Sequence, residues 1–202
     1  MGKYGSIFIL VALLHSCYHK QSLPILGETS VDAGTGEIVY YKAPEFQLKN
    51  QLNEVASSNT FKGKIQVVDF FFTSCPTICP RMTRHMKLVE DKFQDDKRVS
   101  IISYSIDSKT DTPERLKEYA EAYGINNDKW TFLTGNSETI FELSKDYKVR
   151  AFDDGGHQEI NLIHDGTFVL VDGKQRIRGY YNGLDEKDTN RLISDIQKLL
   201  IE

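Results

Sequence analysis

The sequence predicts an α/β domain with a central mixed sheet, helices on both faces and a β-rich N-terminal extension. Three observations carry that prediction. The segment Ile65 to Phe72 is nearly continuous in apolar character. Apolar segments of strand length alternate with amphipathic segments of helix length. The last two strand-like segments are joined by an Asp172-Gly173 turn. A continuously apolar strand is one buried on both faces. Alternating strands and helices demand parallel pairs with helices on each side of the sheet, whereas a tight turn between strands makes an antiparallel pair.

Taken in order, Ile38-Val39-Tyr40-Tyr41 and Phe46-Gln47-Leu48 are short β-prone pieces, and Phe61-Lys62-Gly63-Lys64 is a turn into the central strand Ile65–Phe72. A helix follows, starting at Pro76 or Cys79 and ending at Phe93, with Met82, Met86, Val89 and Phe93 at helical spacing. Val99 to Ile106 is a second apolar strand. Thr112 caps a helix with Pro113 in its first position, which runs to Tyr123 and stops at Gly124. Trp130 to Leu133 is a short strand, and Asn136 or Ser137 caps a helix carrying Ile140, Phe141 and Leu143. An Asp- and Gly-rich loop, Asp153 to Gly156, precedes strands Thr167–Val171 and Ile177–Tyr181 and a last helix, Asp185–Ile201. The order β-α-β-α-β-α-β-β-α, closing on a hairpin and a helix, is a thioredoxin-like layout with an enlarged crossover.

The N-terminus reads separately. Ile7 to Leu14 is an apolar stretch behind Met1-Gly2-Lys3. It falls well short of the ~20 residues that span a bilayer, and so has the form of a signal-peptide core. It ends in Leu14-His15-Ser16-Cys17, which is similar to a bacterial lipobox, although His15 is an imperfect occupant of its position. Residues 1–16 are therefore expected to be a lipoprotein signal peptide, Cys17 the lipid anchor, residues 17–36 a polar tether, and residues 37–202 the domain. The domain would then sit on the extracytoplasmic face of a bacterial envelope. The 25 basic and 29 acidic residues are mixed along the chain, for a net charge of −4. No basic run appears, so nucleic acid is not an expected partner.

If Cys17 carries lipid, Cys75 and Cys79 remain as a pair in an oxidising compartment, where such pairs are disulfides or metal sites. They lie in Thr73-Ser74-Cys75-Pro76-Thr77-Ile78-Cys79-Pro80, where a buried strand gives way to a helix. A helix N-terminus stabilises thiolate over thiol, so the pair is read as redox-active or metal-binding. Asp69, six residues before Cys75, is either a buried acid that moves protons at the pair or a strand residue bonded to backbone. Among the histidines, His15 and His19 precede the domain, His85 is rotated away from the cysteine end of its helix, and His157 lies in the Gly-rich loop. His164 immediately precedes the strand Thr167–Val171, on a loop expected to face the cysteines. No proline follows Pro113, so a histidine takes the place where thioredoxin-like folds carry a proline. Two thiolates and an imidazole suit Cu(I) and accommodate Cu(II), while structural zinc would want a fourth ligand. A peroxidase site would want Thr three residues before its cysteine; Phe72 and Pro76 stand there.

Over roughly residues 43 to 200 the chain resembles the Sco/SenC family of copper chaperones for cytochrome c oxidase assembly. The resemblance rests on Gly63-Lys64, Val68 through Thr83 with its Cys-x-x-x-Cys-Pro, Ser105-Ile106-Asp107 through Asp111-Thr112-Pro113-Glu114, Trp130 through Gly135, and His164. It implies that Cys75, Cys79 and His164 hold one copper ion, which passes to the dinuclear copper site of the oxidase subunit. The competing expectation is a thiol-disulfide reductase that keeps the target cysteines reduced and is itself served by a thiol reductant. Carboxylate ligands from the loop Asp153 to Leu162 are not expected to carry over from the resemblance.

Overall fold

The computed structural model describes residues 22–153 and 162–202. The signal segment, His15, Cys17, His19 and His157 lie outside the described residues. Strand β5 (Ile65–Phe71) and its parallel neighbour β6 (Val99–Ser105) are buried at every position. Their side chains alternate between two cores, as a pleated strand requires. Ile65, Val67 and Phe71 face one core and Val68 and Phe70 the other. The first is covered by α1 (Cys79–Phe93), α2 (Pro113–Ala122) and α4 (Glu186–Leu200), through Met82, Met86, Leu116, Leu192 and Ile196. The second is covered by α3 (Ser137–Asp146), through Ile140 and Leu143.

Parallel strand β7 (Trp130–Thr134) lies beyond β6. On the other side of β5, β10 (Thr167–Val171) runs antiparallel with Val169 opposite Val68, and β11 (Ile177–Asn182) returns along it. β3 (Gln47–Asn50) and β4 (Val55–Ser57) extend the sheet from β7, giving the order β11-β10-β5-β6-β7-β3-β4. The predicted caps are present: Thr112 Oγ1 accepts from Arg115 N at 3.3 Å and Asn136 Oδ1 from Glu138 N at 2.8 Å.

Three features depart from the expectations. β4 was not anticipated. The enlarged crossover contains a hairpin of β8 (Ala151–Asp153) and β9 (Leu162–His164), so His164 ends a strand instead of sitting on a loop. The expected tether is also structured from Ser22 onward. β1 (Thr29–Val31) pairs with β2 (Ile38–Tyr40), and Leu26 bridges Ile177. The physical reason is Arg178, whose side chain is 3% exposed. It donates to Leu23 O at 2.6 Å, Pro24 O at 2.9 Å, Asp172 Oδ2 at 2.9 Å and Glu202 Oε2 at 2.9 Å. A polar stretch without periodicity gave no sign that its carbonyls satisfy a buried guanidinium.

Asp69 is the acid in the β5 interior. Ser103 donates its hydroxyl to Asp69 Oδ1 and accepts from Trp130 Nε1 at 2.8 Å. Burial pushes Asp69 up to about 6, against the Ser103 hydrogen bond and the charge of His164.

Two outcomes follow. Arg178→Ala leaves Asp172 in a largely buried site and strips the arm of its donor, so it should cost about 3 kcal/mol and expose residues 22–31 to protease. Urea midpoints and limited proteolysis measure both, and an unchanged midpoint with an intact arm refutes the clamp. For Asp69, the folded carboxyl binds its proton more tightly than the unfolded one. Stability should therefore fall as pH rises from about 4 to about 6, by about 3 kcal/mol for a two-unit shift. Asp69→Asn should abolish that fall and gain on the wild type toward pH 7. Parallel stability curves for the two proteins across this window would contradict the assignment.

Candidate metal centre

β5 ends at Phe71, and residues 72–78 form the turn into α1. Two contacts hold the start of that turn. Thr73 N donates to Asp111 Oδ2 at 3.0 Å, and Cys75 N donates to Phe72 O at 3.3 Å. Asp111 is fully buried and also accepts from the hydroxyls of Thr73 and Ser105. This brace across 38 residues was missed in the sequence, where Asp111 reads only as the acid before the Thr112-Pro113 helix start. A buried carboxylate has no local signature.

α1 begins at Cys79 with Pro80 in its first turn, and Ile78 at the N-cap offers no side-chain acceptor. Cys75 Sγ lies 3.7 Å from Thr77 Oγ1 beside this helix start, and the backbone of Cys79 and Thr77 favours its thiolate. Both cysteines are free thiols, exposed by only 6% and 1%.

From the other side of β5, the last residue of β9 is His164, itself 8% exposed. Its Nε2 lies 3.2 Å from Cys79 Sγ and 3.9 Å from Cys75 Sγ. Phe72 packs edge-on against the imidazole, with ring centroids 5.8 Å apart. His164 Nδ1 is buried and finds no hydrogen-bond partner among the described residues. The nitrogen that meets the sulfurs is therefore Nε2. One donor atom from each of Cys75, Cys79 and His164 fits within 4.8 Å of the others. The cleft beside them, about 660 Å³, is bordered by Phe72, Pro76, Ile78, Asp107 and Ile163.

The electrostatics divide the two sulfurs. The hydrogen bond from the Cys79 thiol holds Cys75 far below the ordinary thiol range, and His164 and the backbone N–H groups add to it against burial. Cys79 is pushed far up, first by that same hydrogen bond to Cys75 and then by burial, with the charges of Cys75 and Asp69 reinforcing it. The two thiols titrate as one coupled pair, in which the thiolate is favoured on the Cys75 side. Such a pair can act as nucleophile and resolving thiol, or release its proton to a soft cation that takes both sulfurs and the imidazole.

The sequence-predicted residues sort cleanly among those described. Cys75, Cys79 and His164 converge. His85 does not join them; its Nδ1 lies 2.7 Å from Gly183 O and joins α1 to the turn after β11. Asp69 bonds a side chain, not the backbone, and its charge bears on both Cys79 and His164.

The family model described as SCO1/SenC matches residues 39–201. The SCO1 protein homolog of Bacillus subtilis is 34% identical over 158 residues, 78% of this chain and 82% of that one. A protein of Stutzerimonas stutzeri named for copper binding is 30% identical over 142 residues, covering 68% and 67% of the two chains. The solved structure of BsSco, a member of the Sco family of cytochrome c oxidase assembly proteins in which a disulfide switch was identified, superposes with a TM-score of 0.69 at 34% identity, covering 80% of this chain and 95% of that one. The match runs from within β2 to the end of α4 and contains all three converging donors, and by it the chain belongs to the SCO1/SenC family.

Proposed function

We propose that this protein binds one copper ion through Cys75 Sγ, Cys79 Sγ and His164 Nε2, and passes it to the copper-bearing subunit of a cytochrome c oxidase during assembly. The observation that carries the reading is the convergence of two sulfurs and one imidazole nitrogen within 4.8 Å, all three residues buried and two of them, Cys75 and His164, lining an open cleft. Thiolates are the donors Cu(I) selects, and the imidazole extends the set to Cu(II). A three-donor site leaves room for an incoming ligand, which suits metal that is cargo. The copper-binding relative and the oxidase-assembly role of the Sco family support this reading.

The split between the sulfurs favours a second activity at the same residues. Cys75 thiolate can attack a target disulfide, and Cys79, after giving up its proton to the departing thiolate, can resolve the mixed disulfide. The target then carries two thiols and this protein a Cys75–Cys79 disulfide, which an external thiol reductant must restore. The disulfide switch of BsSco supports such a cycle. Copper and disulfide exclude one another, because ligation needs thiolates.

The domain is placed at the extracytoplasmic face by Cys17, read as a lipid anchor. No helix among the described residues is long and apolar enough to cross a membrane.

Parallel Cu(I) and Cu(II) titrations test the site. The reduced protein should take up one copper and the oxidised protein none of comparable affinity. His164→Ala should retain Cu(I), which two thiolates can hold, and lose the thiolate-to-Cu(II) charge-transfer band. Cys75→Ala or Cys79→Ala should impair both states, and His85→Ala neither. Loss of the band in His157→Ala but not in His164→Ala would overturn the ligand set. For the anchor, Cys17→Ala should leave unprocessed or released protein. An unchanged lipid-modified mass in that variant would place the lipid elsewhere.

A further inference from the structure

The two cysteines lie on a stretch of chain that a single neighbour holds at both ends. Pro76 and Pro80 have no N–H to donate, and Cys75 N reaches Phe72 O only at 3.3 Å. The ends of the stretch are tied through side chains instead. Thr73, two residues before Cys75, gives its N–H and its hydroxyl to Asp111 and accepts from Arg115 Nε at 3.3 Å. Thr83, four residues after Cys79, donates its hydroxyl to Cys79 O at 2.9 Å and lies 2.7 Å from the Tyr119 hydroxyl. A threonine hydroxyl has one hydrogen, so Tyr119 is the donor in that second bond.

Asp111, Arg115 and Tyr119 are spaced by four residues. Asp111 stands just before the N-cap Thr112, and Arg115 and Tyr119 lie one turn apart on a single face of α2. α2 is itself fixed. Leu116 and Ala120 are buried in the first core, and the Tyr119 ring packs on Phe71 and Phe132 with centroids 5.5 and 5.8 Å away. One anchored helix therefore grips the chain at Thr73 and at Thr83, and both cysteines fall between the grips. Sulfurs that must meet across a metal ion or in a disulfide lose less freedom when the chain carrying them is already fixed at its ends.

We propose that Asp111 and Tyr119 are positioning residues for the cysteine pair, Asp111 acting through Thr73 on Cys75 and Tyr119 through Thr83 on Cys79; for copper, this rests on the function proposed above. Two equilibria test it. In the first, the protein dithiol and glutathione disulfide give the protein disulfide and two glutathione thiols, which measures the pair without metal. In the second, a chelator competes for Cu(I). Tyr119→Phe removes one hydroxyl and should lower both constants about fivefold, the weight of one net hydrogen bond. Thr83→Val should lower them as well, and Thr83→Ser, which keeps the hydroxyl, should hold them near wild type. In Tyr119→Phe/Thr83→Val the losses should not add, because both changes cut one chain of bonds. Asp111→Asn replaces an accepting oxygen by a donor at the other grip and should also lower both constants. Tyr41→Phe is the control. It removes a bond of similar length, to Asp146 O at 2.9 Å, beside the second core, and should leave both constants as in wild type. Unchanged constants in Tyr119→Phe and Thr83→Val, with only urea midpoints lowered, would reduce the tie to packing and overturn the proposal. Additive losses in the double variant would overturn it too. If the wild type binds no copper, the function proposed above falls, and the glutathione equilibrium still decides the positioning.

Discussion

His164 meets Cys79, 85 residues away in the chain, because β10 runs antiparallel along β5 with Val169 opposite Val68. That register is locked from both sides of the sheet. Phe168 and Leu170 fill one core and Val169 and Val171 the other. Sliding β10 by one residue would turn each set toward the wrong neighbours and carry His164 about 3.3 Å along the strand. Its present separation from Cys79 Sγ is 3.2 Å, so such a slip would dissolve the site. Everything chemical in this molecule depends on that pairing.

The same burial shapes the reactivity. A thiolate in an apolar interior is costly, and Cys75 is stabilised there by donors that the fold already had to place. These are the Cys79 thiol, the imidazole and the backbone of Cys79 and Thr77, where the turn enters α1. A helix start offers N–H groups without an intrahelical partner, which favour an anion there. Cys79 is raised first by its hydrogen bond to Cys75 and then by burial, and the charge of Asp69 adds to both. The arrangement separates the roles of two cysteines that lie within one turn of each other.

Buried acids recur in the scaffold, each with its own donors: Asp69 with Ser103, Asp111 with Thr73 and Ser105, and Asp172 with Arg176 and Arg178. Burial raises Asp172, but those hydrogen bonds outweigh it and hold the carboxyl below its ordinary range. Asp111 ties the cysteine turn to the start of α2, and Asp172 helps Arg178 tie the arm to the sheet. Polar groups of this kind add little net stability, but they penalise alternative packings in which they would lose their partners.

The alternating apolar segments, the continuous β5, the Thr112 and Asn136 caps and the Asp172-Gly173 turn determined the main elements and their order, because each reports through spacing within a few residues. Cys75 and Cys79 were legible for the same reason: strand end, helix start and spacing are local. His164 was legible as a candidate through its place before β10, but its strand β9 was not, since three residues carry too little periodicity. What only the tertiary structure decided was every contact made across the chain: the brace of Asp111 on Thr73, the pairing of Arg178 with the arm, and Nε2 of His164 on the sulfurs. Those contacts follow from sheet register and from buried polar groups finding donors tens of residues away, and neither leaves a mark in the neighbouring sequence.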